Sequence, residues 1–163
     1  MNIQEKFYRD FMTMLNKHDV QFIMVGGYAV AFHGYTRYSR NLDLWVNPSK
    51  QNMKKVISAI AEFGYETDSL NNHIFSPKDS PIKLQDGLLK VGVIQHLTNM
   101  VNFDEAYNKS RKIGCEEFWF HLLDNYHLEK NKHASGLDQD LIDVSKLRET
   151  RELSTGEKAQ TLF

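Results

Sequence analysis

The sequence has a single cysteine, Cys115, so no disulfide can form within the chain. A reducing, cytoplasmic setting is the simplest expectation. Cys115 sits between Gly114 and Glu116, with no adjacent base to activate its thiol, and reads as a structural residue. No apolar run approaches the roughly 18 residues of a membrane helix. The start, MNIQEKFYRD, lacks the apolar stretch of a signal peptide. Charge is balanced at a net −1, so the field of the whole chain gives no pull toward nucleic acid or a membrane. His121, His127 and His133 do not have the i, i+4 spacing of a helical metal pair, which argues against zinc. Repeats, low-complexity tracts and linkers are also missing. What remains is 163 residues, 41% hydrophobic, enough for one domain with a real core. That domain is expected over residues 1–153. The polar, weakly patterned 154–163 is expected to be a mobile tail.

Periodicity predicts a helix over 4–18, with Phe7, Phe11, Met14, Leu15 and His18 on one face. VQFIMV (20–25) reads as a buried strand. Gly26-Gly27 breaks it, and a short helix from Tyr28 to Phe32 follows, closed by Gly34. NLDLWV (41–46) alternates as a strand. Ser49 is a candidate N-cap for a helix with Met53, Val56, Ile57, Ile60 and Ala61 on its inner face. HIFS (73–76) reads as a strand. Asp86-Gly87 is a hairpin turn leading into a strand at 88–94. Asn102 caps a helix across Asp104–Lys112, EEFWFHL (116–122) reads as a strand, and helices follow at 124–134 and 138–150. Leu137, Leu141, Ile142, Val144 and Leu147 mark the packed face of the last one. Alternating strands and helices with one tight hairpin predict an α/β (α+β) domain: a mixed sheet flanked by helices, with a helical C-terminal part.

Two elements carry chemistry. A strand running into Gly26-Gly27 and a helix lets backbone N–H groups approach an anion closely, although the same pair also makes an ordinary tight turn. On the strand 41–46, residues 41 and 43 point to one face. An acidic pair at that spacing holds Mg²⁺ against a triphosphate for in-line phosphoryl transfer. Here Asp43 is present, and Asn41 takes the other place.

The stretch Gly26-Gly27, Ala29, His33-Gly34, Arg37, Ser39, Asn41-Leu42-Asp43 resembles the signature of the nucleotidyltransferase superfamily with the DNA polymerase β-type fold. More specifically it is similar to small bacterial members related to the toxin component of abortive-infection toxin–antitoxin systems. NFDEAY (102–107) resembles the segment after that family's third core strand. Lys132, Ala134, Gly136, Asp140 and Asp143 match its C-terminal helical pattern, with Leu137 where an arginine is usual. The resemblance implies a nucleotide site in which Gly26, Gly27, Arg37, Ser39 and Lys132 hold the triphosphate. It implies that Asp43 binds metal beside Asn41, and that Mg²⁺ enters with the NTP.

The departures bear on function. Asn41 replaces one expected carboxylate. A second is expected near Val93 by counting back from Phe103, and LLKVGVI (88–94) contains no acid. Electrostatic stabilisation is the main resource in phosphoryl transfer, so these losses are costly. They favour a degenerate member that keeps the fold, whose cleft binds a nucleotide or nothing, and which acts through a protein partner of the toxin–antitoxin type. An active enzyme moving an NMP to an RNA, protein or small-molecule hydroxyl is the alternative, and an unrelated α/β binding domain is a third reading. Other residues have plainer readings. His33 is a helix-end hydrogen-bonding residue. Arg37 and Arg40 are phosphate ligands or surface cations. Tyr28, Tyr35 and Tyr38 stack a base or pack on the sheet. Lys132 faces either a cleft or solvent, and Asp140 and Asp143 make structural salt bridges.

Overall fold

The structure, a computed structural model, describes residues 3, 5–71, 81–99 and 102–160, with side chains described up to residue 152. The first helix, α1 (Lys6–Lys17), buries Phe7, Tyr8, Phe11, Met12 and Leu15 on one stripe. Strand β1 (Phe22–Val25) is buried along its whole length, as its continuous apolar run requires. The glycines after it end the strand as expected, but the helix starts at them and not at Tyr28. They are the first turn of α2 (Gly26–Phe32). Strand β2 (Asn41–Val46) has the bounds its alternation predicts. Ser49 caps α3 (Lys50–Glu62) by accepting from the Asn52 N–H. In α3, Met53, Val56, Ala59 and Ile60 are buried, while Ala61 is exposed.

Strands β3 (Ile82–Asp86) and β4 (Leu89–Ile94) form the expected hairpin. Asp86 pairs with Leu89, so the turn is Gly87-Leu88, one residue later than predicted. Gly87 supplies the positive φ at 56°. The strand predicted at 73–76 lies outside the described residues. Helix α4 (Phe103–Lys109) is capped by Asn102, which accepts from Glu105 N at 3.2 Å. It stops before Lys112 because Arg111–Gly114 forms a short strand, β5, against β6 (Trp119–Leu122). Asp124 caps α5 (Asn125–Ser135), and Gly136 ends it at φ 65°. The last helix, α6 (Asp138–Gln160), continues past residue 150 into the segment expected as a tail.

The six strands among the described residues form one mixed sheet in the order β3-β4-β2-β1-β6-β5. β2 lies between an antiparallel β1 and a parallel β4. Its alternation splits two environments. Leu42, Leu44 and Val46 are fully buried on one face. Asp43 and Trp45 point to the other, where Trp45 meets Phe103 of α4 edge-on at 5.1 Å. That second face is covered at the Trp45 end and opens toward Asn41. Helix α6 is rotated relative to expectation. Val144 and Leu147 are buried, but Leu137, Leu141 and Ile142 are exposed. The cause is electrostatic: α6 turns Asp140 and Asp143 inward to meet Lys132 and Arg37.

Candidate functional site

The pairing of the three central strands builds the site. Asp43 lies across from Val25 on β1 and from Gly92 on β4, while Asn41 lies across from Lys90. On the next strand out, Lys83 faces Gly92 and Gln85 faces Lys90. Paired residues share a face, so these side chains converge. They line a cleft of about 260 Å³ with Asn41, Asp43, Lys83, Gln85, Lys90 and Gly92 in its walls.

Asp43 is held by glycines on two sides. Gly26 has φ 65°, and a side chain there would run into Oδ2 of Asp43. A side chain at Gly92 would come within 2.8 Å of Oδ1. Burial pushes the Asp43 carboxyl above the ordinary carboxylate range; the charges of Lys132 and Arg37 pull it back only in part, and Asp140 adds to the rise.

Around Gly27 a second cluster forms. A side chain on Gly27 would meet the Arg37 guanidinium at 3.0 Å and Ser39 at 3.1 Å. Arg37 Nε donates to both oxygens of Asp143, at 2.9 and 3.1 Å. Lys132 Nζ reaches Asp143 at 2.8 Å and also binds Asp140. Gln139 Nε2 adds a bond to Asp143 at 3.2 Å. Two cations and two carboxylates thus close a neutral network around Asp143, which is fully buried. Burial pushes Asp140 up, but hydrogen bonds from Lys132 and Ser135 and the charges of Lys132 and Arg37 outweigh it and leave that carboxyl lowered.

The sequence-predicted residues therefore separate into two groups. Asn41 and Asp43 line the cleft. Gly26 packs on Asp43 from behind, and Gly27, Arg37 and Lys132 belong to the ion-pair cluster. Ser39 does local work: its hydroxyl donates to the Asn41 carbonyl at 3.0 Å and accepts from the Asn41 N–H at 3.2 Å, fixing the entry to β2. Lys132 is buried, which excludes a solvated face for it. His33 bonds the Leu123 carbonyl at 2.7 Å through Nε2, as a helix-end residue. Tyr28 is buried edge-on against Tyr8, whereas Tyr38 is exposed beneath the Arg40 guanidinium. Burial raises the Cys115 thiol, in keeping with a structural role.

Gly92, Lys83 and Lys90 were missed from the sequence. Counting back from Phe103 pointed to Val93, but the register puts Gly92 beside Asp43. The available signal was parity: Lys90 and Gly92 stand two apart on a strand, as Asn41 and Asp43 do.

A Mg²⁺ pair needs several hard oxygen donors converging on one point. Among the described residues this cleft offers one carboxylate, enclosed between Gly26 and Gly92, the neutral amides of Asn41 and Gln85, and two ammonium groups. Among the described residues no group of three or more His, Cys, Asp or Glu side chains is placed to hold a metal ion. The donor set does not fit a two-metal centre.

No protein-family model matches the sequence, and no curated protein matches it either. A solved structure does match in shape: the crystal structure of the lincosamide antibiotic adenylyltransferase LnuA with lincomycin bound. The TM-score is 0.59 at 17% identity, and the match covers 91% of this chain and 98% of that one. The fold is a nucleotidyltransferase fold. In this nucleotidyltransferase fold the strand pair β2/β4 carries Asn41, Asp43 and Gly92 at its open end, next to the Gly26-Gly27 turn. No helix among the described residues is long and apolar enough to cross a membrane.

Proposed function

We propose that this chain is a catalytically degenerate nucleotidyltransferase-fold protein that binds a nucleoside triphosphate in the Asp43 cleft and acts through a protein partner. The observation that carries the reading is the pairing of Asp43 with Gly92. It leaves one carboxylate among the described residues of the cleft, where in-line nucleotidyl transfer calls for a set. Asn41 contributes an amide in place of a second charge. Gly26 and Gly27 bring backbone close to the bound phosphates. Arg37, Ser39 and Lys132 shape the site from behind, through the Asp143 network and the Asn41 backbone. The partner is of the toxin–antitoxin kind implied by the resemblance of residues 26–43, and the setting is the cytoplasm.

Calorimetric titration with ATP, GTP, CTP and UTP, each with and without Mg²⁺, tests this. Binding of at least one NTP without pyrophosphate release is the expected result. If no NTP binds under either condition, the reading fails.

A second reading has one observation in its favour: the chain aligns with nearly the whole length of an adenylyltransferase. On that reading Asp43 carries a metal, and an NMP moves to a small-molecule or macromolecular hydroxyl. It requires Mg²⁺-dependent NTP binding, turnover, and loss of both in Asp43→Asn.

A further inference from the structure

The cleft lining has the wrong charge for recruiting metal and a suitable one for meeting phosphate directly. Among the described residues it contains one carboxylate, Asp43, and two ammonium groups, Lys83 and Lys90. Burial holds the Asp43 carboxyl up, toward its neutral form. Among the described residues neither Lys83 nor Lys90 has a carboxylate partner, and both side chains are exposed at the cleft. The two lysines stand on adjacent strands, each paired to the other's near neighbour: Lys83 with Gly92, Lys90 with Gln85. Adjacent strands are about 4.8 Å apart, so both ammonium groups reach a single polyphosphate lying over Gly92.

In a two-metal site, carboxylates recruit divalent cations and the cations neutralise the phosphates. Here the recruiting positions hold Asn41 and Gly92, and cations are already attached to the backbone on either side. We propose that Lys83 and Lys90 form a metal-independent clamp for the triphosphate, with the amides of Asn41 and Gln85 adding hydrogen bonds. The clamp rests on the reading that a nucleotide occupies this cleft, and it names the groups that hold it. A lysine binds phosphate as a point charge. Mg²⁺, which chelates free triphosphate, therefore competes with the clamp and weakens binding.

The test is calorimetry on the full chain in EDTA with two probes, inorganic triphosphate and ATP. Variants are Lys83→Gln, Lys90→Gln and the double substitution. Lys54→Gln on the exposed side of α3 is the control, and Lys83→Arg with Lys90→Arg keeps the charge. Both probes are expected to bind the wild type. Each glutamine should weaken binding about tenfold. The control and the arginine variant should bind nearly as well as wild type, and excess Mg²⁺ should lower affinity. Binding that appears only with Mg²⁺ overturns the clamp. ATP binding that survives both glutamines overturns the clamp and leaves the nucleotide reading standing. Lysine-dependent binding of inorganic triphosphate with no binding of ATP supports the clamp and removes the nucleotide reading. If neither probe binds, both ideas fall.

Discussion

Asp43 lies directly across from Gly92 in the parallel pairing of β2 and β4, and its Oδ1 occupies the space a side chain on Gly92 would need. Asp43, the one carboxylate among the described residues of the cleft, thus excludes a second at position 92 by packing as well as by charge. Removing the charge should show what it costs.

Asp43→Asn should stabilise the protein near neutral pH. Burial raises the folded-state pKa above its ordinary value of 3.8. Between those two values the native state binds more protons than the unfolded chain, so wild-type stability falls as pH rises through that window. Above the folded-state value the penalty is complete. The variant lacks it. Urea unfolding midpoints should therefore separate at about pH 7 and converge at about pH 3. A variant less stable than wild type at neutral pH would mean that Asp43 is stabilised by Lys132 and Arg37 more than it is penalised by burial.

Asp143→Ala should destabilise strongly. It leaves Arg37 and Lys132 without their shared, fully buried carboxylate. Breaking one partner of a buried ionic network costs about 3–5 kcal/mol. Denaturant unfolding measures this, and a loss below about 1 kcal/mol would mean the cations relax to solvent. Arg37 is 20% exposed on its side chain, so it has the easier route out.

How much of this was legible in the sequence depended on the range of the interaction. β2 was readable to the residue because NLDLWV alternates, and Ser49, Asn102 and Gly34 act on neighbours within a turn. β5 was not readable: Arg111–Gly114 is a short, charged edge strand, and its identity comes from pairing with Trp119–Leu122. The rotation of α6 was misread for a related reason. Leu141, Ile142, Val144 and Leu147 set its apolar pattern, but Lys132 on another helix decides which face turns in. Asp43 was found because its neighbours at Gly26 and Arg37 form a local motif. Gly92 and the two lysines were missed because a parallel register between distant segments leaves no local trace.

Asn41→Asp should fold normally and gain divalent-cation binding. Asn41 is exposed at the mouth of the cleft, and its backbone, not its side chain, carries the bonds to Ser39. The substitution places two carboxylates at i and i+2 on one face, the spacing that holds a hard cation. Calorimetry with MgCl₂ should detect weak binding in the variant beyond that of wild type. Equal titrations for the two proteins would show that the enclosed Asp43 carboxylate cannot turn toward a metal.

Gly92→Ala tests the packing between Asp43 and β4. The added methyl would sit 2.8 Å from Asp43 Oδ1, and Gly26 lies close to the other carboxylate oxygen. Overpacking of this kind costs about 1–3 kcal/mol. The loss should depend on Asp43. In an Asp43→Ala background the carboxylate is gone, and Gly92→Ala should become nearly neutral or slightly stabilising, since alanine narrows the unfolded ensemble. A double-mutant cycle isolates that coupling. If Gly92→Ala costs the same in both backgrounds, the strain lies in the β4 backbone and not in the contact with Asp43. The carboxylate would then be free to move, and the cleft would have room for a second acidic group.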